Sequence, residues 1–103
     1  MEIEEAWTTG QEGPDIKAVI RDTIEQAAKE GRLPKRVERE FDLEYREDAA
    51  GSPAAWIWLL VNDDDRPSEQ DVKLMTELST RIEQAILRKS PGRWPYIAYG
   101  RRR

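Results

Sequence analysis

The longest apolar run in the chain is AAWIWLLV, from Ala54 to Val61, and it stands in a sequence that is 37% charged. Turn-forming residues precede it in GSP at 51–53, and aspartates follow it at 63–65. A short apolar run with such boundaries is typical of a strand buried on both faces. The segment is therefore predicted to be a strand, from Ala54 to about Val61.

Alternation divides this predicted strand into two faces, because successive side chains of a strand point to opposite sides. Aliphatic residues on one face suit packing beneath helices, whereas the two tryptophans and Leu60 fall on the other face. The opposite orientation, with the tryptophans inside, is also physically sensible. The two sets are Ala55, Ile57, Leu59 and Val61 on one face and Trp56, Trp58 and Leu60 on the other.

The segment before this strand, residues 36–46, also has a period of two. Its apolar and charged residues alternate, as they do in a half-buried antiparallel strand with a solvated outer face. The intervening EDAAGSP predicts a turn, so the two strands form a hairpin. Val37, Phe41, Leu43 and Tyr45 lie on the apolar face, and Arg36, Glu38, Glu40, Asp42, Glu44 and Arg46 lie on the charged face.

Two segments have the spacing of three and four residues that one face of a helix requires. The first starts at Asp15 and ends before Gly31, which suits the left-handed position after a helix. The second follows Ser68, whose spacing to Asp71 matches a capping box. A short final strand is predicted within RWPYIAYGR. The apolar positions are Ile16, Val19, Ile20, Ile24, Ala27 and Ala28 in the first helix, and Val72, Met75, Leu78, Ile82, Ala85 and Ile86 in the second.

These elements predict a single small α+β domain of order α-β-β-α-β, with two helices on one face of a three-stranded sheet. Residues 1–13 form a flexible lead-in or a short edge strand, residues 14–100 form the domain, and residues 101–103 form a basic tail. A strand at 2–7 would make the sheet four-stranded and ferredoxin-like. The topology is similar to that of small RNA-binding KH-type domains, but no GXXG loop is present. The strand order stays open.

Composition excludes several classes of chemistry. The chain contains neither cysteine nor histidine, which removes disulfides, thiol catalysis and the commonest general base and metal ligand. No phosphate loop or serine elbow is present, so we expect neither an enzyme nor a cofactor. No apolar run reaches membrane-spanning length, and the N-terminus is acidic, so a cytoplasmic location is expected.

Three consecutive aspartates, Asp63 to Asp65, raise the question of a divalent metal site. Calcium loops place oxygen ligands at alternating positions and need a turn glycine, which this segment lacks. We therefore interpret the aspartates as a polar connection that favours the N-terminus of the next helix, and we predict no metal.

The tryptophan face carries the leading functional hypothesis. Exposed aromatic side chains mark interaction surfaces, and tryptophan, tyrosine and arginine most often anchor them. We expect a non-enzymatic interaction module that binds another protein or itself, in the manner of an antitoxin-like inhibitor, accessory subunit or homodimer. The alternative that the chain covers its own tryptophans, through Trp7, Trp94 or the tail, stays open. The predicted contacts are Trp56, Trp58 and Leu60, rimmed by Glu40, Asp42 and Glu44.

The C-terminal segment supports a different hypothesis. The last 16 positions hold six basic residues and no acidic one, while residues 1–87 hold 11 basic and 21 acidic residues. Aromatic side chains beside arginines suit single-stranded nucleic acids, although the acidic body would repel phosphates. The same arginines could instead contact an acidic partner or their own body. The residues concerned are Arg93, Trp94, Tyr96, Tyr99, Arg101, Arg102 and Arg103.

Overall fold

A computed structural model of the chain describes residues 16–62, 66–89 and 92–101. Its elements are α1 (Ile16–Lys29), β1 (Val37–Glu47), β2 (Pro53–Val61), α2 (Glu69–Lys89) and β3 (Trp94–Arg101). The predicted α+β class and the α-β-β-α-β order are confirmed. The predictions for residues 1–13, for the aspartates at 63–65 and for Arg102 and Arg103 fall outside the described residues.

The sheet has the strand order β1-β2-β3, with the apolar run at its centre. β1 and β2 form the predicted antiparallel hairpin, in which Glu44 lies opposite Trp56 and Asp42 opposite Trp58. The register shifts between Val37 and Phe41, which marks a bulge in β1. β2 and β3 pair in parallel, and α2 forms the crossover connection that such a pair requires. Because β2 and β3 pair directly, no further strand lies between them.

The core lies between the sheet and the two helices, both of which pack on the same face. From β2, Ala55, Ile57 and Leu59 point into it and are at most 1% exposed. The inward stripes of the helices are largely those that the helical spacing predicts. In α2 the prediction is wrong at two positions, because Val72 is 48% exposed and Leu74, which was not assigned to the stripe, is buried. The buried helical residues are Ile16, Val19, Ile20, Ile24 and Ala27 of α1 and Leu74, Leu78, Ile82, Ala85 and Ile86 of α2.

Local signals at the helix ends have the predicted geometry. Gly31 has a φ of 73°, and the Arg32 amide donates to the Ala27 carbonyl, as in a Schellman-type stop. The Asp71 amide donates to Ser68 Oγ (3.0 Å) and the Ser68 amide donates to Asp71 Oδ2 (3.1 Å), which completes the capping box. Neither described helix combines the length and the apolar character needed to cross a bilayer.

Candidate functional site

The face of the sheet opposite the helices is called the open face here. It consists of Trp56, Trp58 and Leu60 from β2, Asp42, Glu44 and Arg46 from β1, and Trp94, Tyr96 and Ala98 from β3, as the strand registers require. Both described helices pack on the other side of the sheet. The tryptophans therefore lie away from the core, in the first of the two orientations that the sequence allowed.

Trp56 is held between two flat groups. The guanidinium carbon of Arg46 lies 4.3 Å from the ring centroid of Trp56, and the Tyr96 ring stacks at 4.5 Å with an interplanar angle of 15°. The first contact is a cation–π interaction and the second is a stacked aromatic pair, and each restrains the indole. Arg46 also pairs with Glu44 at 3.4 Å. Trp56 is thus ordered by side chains from both neighbouring strands.

The stack is anchored to the turn between β1 and β2. The Tyr96 hydroxyl donates a hydrogen bond to Asp48 Oδ2 over 2.9 Å, and Asp48 Oδ1 accepts from the amides of Ala50 and Ser52. The Ser52 amide and then the Tyr96 hydroxyl lower the pKa of the Asp48 carboxyl. The same bond to Asp48 raises the pKa of Tyr96, because a phenolate could not donate it.

Among the described residues, Trp58 has fewer side-chain partners than Trp56. Asp42 is its neighbour on β1 and Ala98 its neighbour on β3, and both of these residues are exposed. The side chain of Ala98 is short, and the Trp58 side chain is half-buried. Trp58 therefore offers accessible aromatic surface at the centre of the open face.

The other predicted anchors are placed differently. Leu60 is on the same face of β2 but is only 3% exposed, so it offers little surface to a partner. Glu40 is exposed beside the bulge in β1, and Glu44 is exposed opposite Trp56. The acidic rim is thus Glu40, Asp42 and Glu44 along β1, with Arg46 as the adjacent base.

The C-terminal aromatic residues do not share one surface. Tyr96 lies on the open face, whereas the Tyr99 hydroxyl donates to the Met75 carbonyl on α2 over 2.6 Å. Burial raises the pKa of Tyr99. Trp94 is 49% exposed on the same side as Tyr96. Because residues 96 and 99 are an odd number of positions apart, alternation alone could have separated them.

Arg93 is the predicted basic contact whose side chain the structure describes. Arg93 Nη1 donates to the Ala54 carbonyl over 2.9 Å, and its guanidinium lies 4.7 Å from the Tyr45 ring centroid. This arginine therefore joins the starts of β2 and β3 to the end of β1. Arg101 ends β3, and the last two arginines are outside the described residues.

Sequence reasoning missed two members of the site, Arg46 and Asp48. The alternation of residues 36–46 places Arg46 on the charged face of β1 without indicating a partner, and EDAAGSP indicates only a turn for Asp48. The contact of Arg46 with Trp56 depends on the register of the hairpin, whereas the bond of Asp48 to Tyr96 depends on the parallel placement of β3. Within the described part of the chain, no cluster of three acidic side chains is suited to hold a metal ion.

Comparisons of the chain with protein-family models, with curated proteins and with solved structures give no match. Functional inference therefore depends on the geometry of the open face.

Proposed function

We propose that the protein is a non-enzymatic binding module that docks another protein on the open face of its sheet. The observation that carries this proposal is Trp58, a half-buried tryptophan on the face that both described helices leave uncovered. Buried aromatic anchors supply most of the binding energy at interfaces, and tryptophan is the most enriched of them. A tryptophan whose role was only to fill the core would lie on the side of the sheet that faces the helices.

The neighbouring stack supports this proposal through its rigidity. Arg46 and Tyr96 fix the Trp56 ring before any partner arrives, and Asp48 fixes Tyr96 in turn. Side chains that are already ordered lose little conformational entropy on binding, so a larger share of the contact energy appears as affinity. The stack of Arg46, Trp56 and Tyr96 would then form a rigid part of the binding surface beside Trp58.

Charge favours a different protein over a second copy as the occupant. Three acidic residues, Glu40, Asp42 and Glu44, lie along β1 next to the tryptophans, and Arg46 is the described base beside them. A second copy would bring the same acids to the interface, where like charges are unfavourable. We infer a partner surface with an apolar centre and lysine or arginine at its rim.

The biological role that we propose is that of an accessory subunit or antitoxin-like inhibitor of this partner. Small acidic chains without a catalytic motif commonly serve such roles. The open face offers aromatic contact area and carboxylates, and the chain has no histidine or cysteine to supply a nucleophile or base. These features support binding over catalysis.

Nucleic-acid binding is the second candidate, and one observation favours it. Trp94 and Tyr96 lie on the same face as the tryptophans of β2, and aromatic side chains on a sheet can stack with unpaired bases. The acidic rim on β1 opposes this candidate, because phosphates would be repelled. Titration with a short single-stranded RNA at low salt decides the question, and affinity that falls steeply with added salt would favour the nucleic acid.

The experiment for the leading proposal compares three forms of the full chain. Wild type, Trp58→Ala and the control Tyr45→Ala are used to isolate partners from the source cells, and the partner identified is then titrated by calorimetry. Tyr45 is a matched aromatic control because it is 41% exposed and lies on the other side of the sheet. We expect at least tenfold weaker binding for Trp58→Ala and less than twofold change for Tyr45→Ala.

Three results would contradict the proposal. The first is equal affinity of wild type and Trp58→Ala for the isolated partner. The second is retained affinity in Asp42→Lys, which reverses the charge beside Trp58. The third is sedimentation that shows a second copy of the chain as the occupant of this face.

A further inference from the structure

A second surface lies on the other side of the sheet, where α2 passes over the free edge of β3. A groove of about 490 Å³ runs between them. Its walls are largely apolar, with Val72 and Met75 on α2 and Ile97 and Tyr99 on β3. Val72 is 48% exposed, which is unusual for a valine on the apolar stripe of a helix.

The edge of the sheet that borders this groove has no strand partner within residues 16–62, 66–89 and 92–101. Among the described residues, β3 pairs only with β2, so its other edge carries a row of backbone N–H and C=O groups without strand partners. Such an edge is a template for an added strand. An apolar groove beside it would receive every second side chain of that strand, as in known modes of peptide recognition.

The length of the groove sets the length of an occupant. Val72 and Glu83 mark its two ends along α2, and at ~1.5 Å per helical residue they are roughly 16 Å apart. A strand advances ~3.3 Å per residue, so about five residues would cover this distance. Three of those residues would direct their side chains into the groove.

The charge of the groove indicates the chemistry of the occupant. Glu83 is the one charged side chain among the described residues that line it, and it forms neither an ion pair nor a hydrogen bond with any described residue. A lysine or arginine of an occupant would find an acceptor there. The remaining lining near Val72 and Ile97 suits small aliphatic side chains.

We propose that the free edge of β3 binds an extended segment of the partner as an added strand. Of about five residues, two groove-facing side chains are aliphatic and the third is a lysine or arginine that meets Glu83. This inference rests on the proposed function in one respect, namely that the partner is a protein. The two surfaces adjoin at Tyr96, which lines the groove and also belongs to the open face.

The test uses the full chain and two synthetic peptides, Thr-Val-Thr-Val-Thr-Lys-Thr and Thr-Lys-Thr-Val-Thr-Val-Thr, blocked at both ends. The two peptides cover both strand directions. Amide hydrogen exchange is measured along β3 with and without peptide. In the free chain we expect protection of every second amide of β3, namely those that face β2. One of the two peptides should then slow exchange of the remaining β3 amides, which face the free edge.

Backbone methylation tests strand pairing directly. In one version of the bound peptide the nitrogens of the valine and lysine residues are methylated, and in the other those of the threonines. Only alternate amides of an added strand face β3, so one version should lose binding and the other should keep it. Equal binding of both versions, or no binding of either unmethylated peptide, would overturn the proposal. Protection of all β3 amides in the free chain would also overturn it, because the edge would already be occupied.

Glu83→Gln tests the predicted ion pair, and Glu69→Gln is the control because Glu69 lies on the same helix but does not line the groove. We expect the peptide that binds wild type to bind Glu83→Gln about fivefold more weakly, which is the upper range for a partly exposed ion pair. We expect no change in its affinity for Glu69→Gln. Equal affinity of the two variants would contradict the assigned role of Glu83.

The two proposals fail separately. The peptide should bind Trp58→Ala as it binds wild type, since Trp58 does not line the groove. If the peptide binds but Trp58→Ala does not change the affinity for the partner, only the proposal that the open face binds the partner is rejected. Partner affinity that depends on Trp58 without any peptide binding would reject strand addition alone.

Discussion

Tyr96 and Asp48 are 48 positions apart in the chain, and the Tyr96 hydroxyl donates to the Asp48 carboxylate over 2.9 Å. This bond joins the turn of the β1–β2 hairpin to the parallel strand β3. It also fixes the ring that stacks on Trp56. One hydrogen bond therefore connects the local geometry of a turn with the arrangement of the open face.

Removal of this hydroxyl should lower stability in a pH-dependent manner. The folded-state pKa of Asp48 is below the usual value of 3.8. The ionised carboxylate therefore stabilises the fold above pH 3.8, and this contribution is lost as the pH falls from 3.8 through the folded-state pKa. Tyr96→Phe keeps the stack but lacks the bond, so we expect a lower Tm at pH 7 and a smaller difference from wild type at pH 3. Thermal unfolding at both pH values checks this, and an equal Tm difference at both would contradict it.

Truncation of two adjacent residues of β2 should destabilise the fold to different degrees. Ile57 is 1% exposed in the core, and Ile57→Ala should cost about 2–5 kcal/mol of unfolding free energy. Trp58→Ala should cost less than half as much, because Trp58 is half-buried and lies outside the core cluster. Urea unfolding followed by circular dichroism measures both, since fluorescence would be altered by loss of a tryptophan. A larger loss for Trp58→Ala would mean that the open face is part of the core.

The capping box of α2 should contribute measurably to stability. Ser68→Ala removes the acceptor for the Asp71 amide and should lower the unfolding free energy by about 0.5–2 kcal/mol. Gln70→Ala is the control, because Gln70 is exposed in the same turn and is not part of the capping box. Urea unfolding of both variants at pH 7 measures this effect. Equal decreases in the free energy of unfolding would show that the capping box does not stabilise the fold.

Tyr99 should make the fold sensitive to high pH. Burial raises its folded pKa above the usual 10.0, so the unfolded state loses its proton first and stability declines as the pH rises from 10 towards the folded value. Tyr99→Phe should flatten this decline, with the remainder due to Tyr96 and other groups. Urea unfolding from pH 9 to 11 measures the slope, and an unchanged slope in Tyr99→Phe would contradict the assignment.

Elements whose signals are local were predictable from the sequence. The stripe around Ile20 and the stop at Gly31 define α1, and the Ser68–Asp71 pair marks the start of α2. The alternation in residues 36–46 and the apolar run of β2 define the hairpin. In each case residues a few positions apart decide the structure, so one sequence is sufficient.

Relationships between distant segments were not predictable in this way. Nothing in the sequence states that β3 pairs in parallel with β2, yet that pairing brings Tyr96 to Trp56 and creates the edge beside α2. The bulge between Val37 and Phe41 and the burial of Leu60 are similar cases, because they depend on the assembled sheet. The orientation of the tryptophans was open for the same reason.

The position of β2 at the centre of the sheet has a consequence for synthesis. β3 follows β2 only after the 21-residue helix α2, so the newly made hairpin has the tryptophan strand as a bare edge until β3 is translated and docks. During that interval an apolar strand with unpaired amides is exposed to other nascent chains. Slow translation through α2 should therefore increase aggregation, and the finished fold is protected chiefly by the arrival of its last described strand.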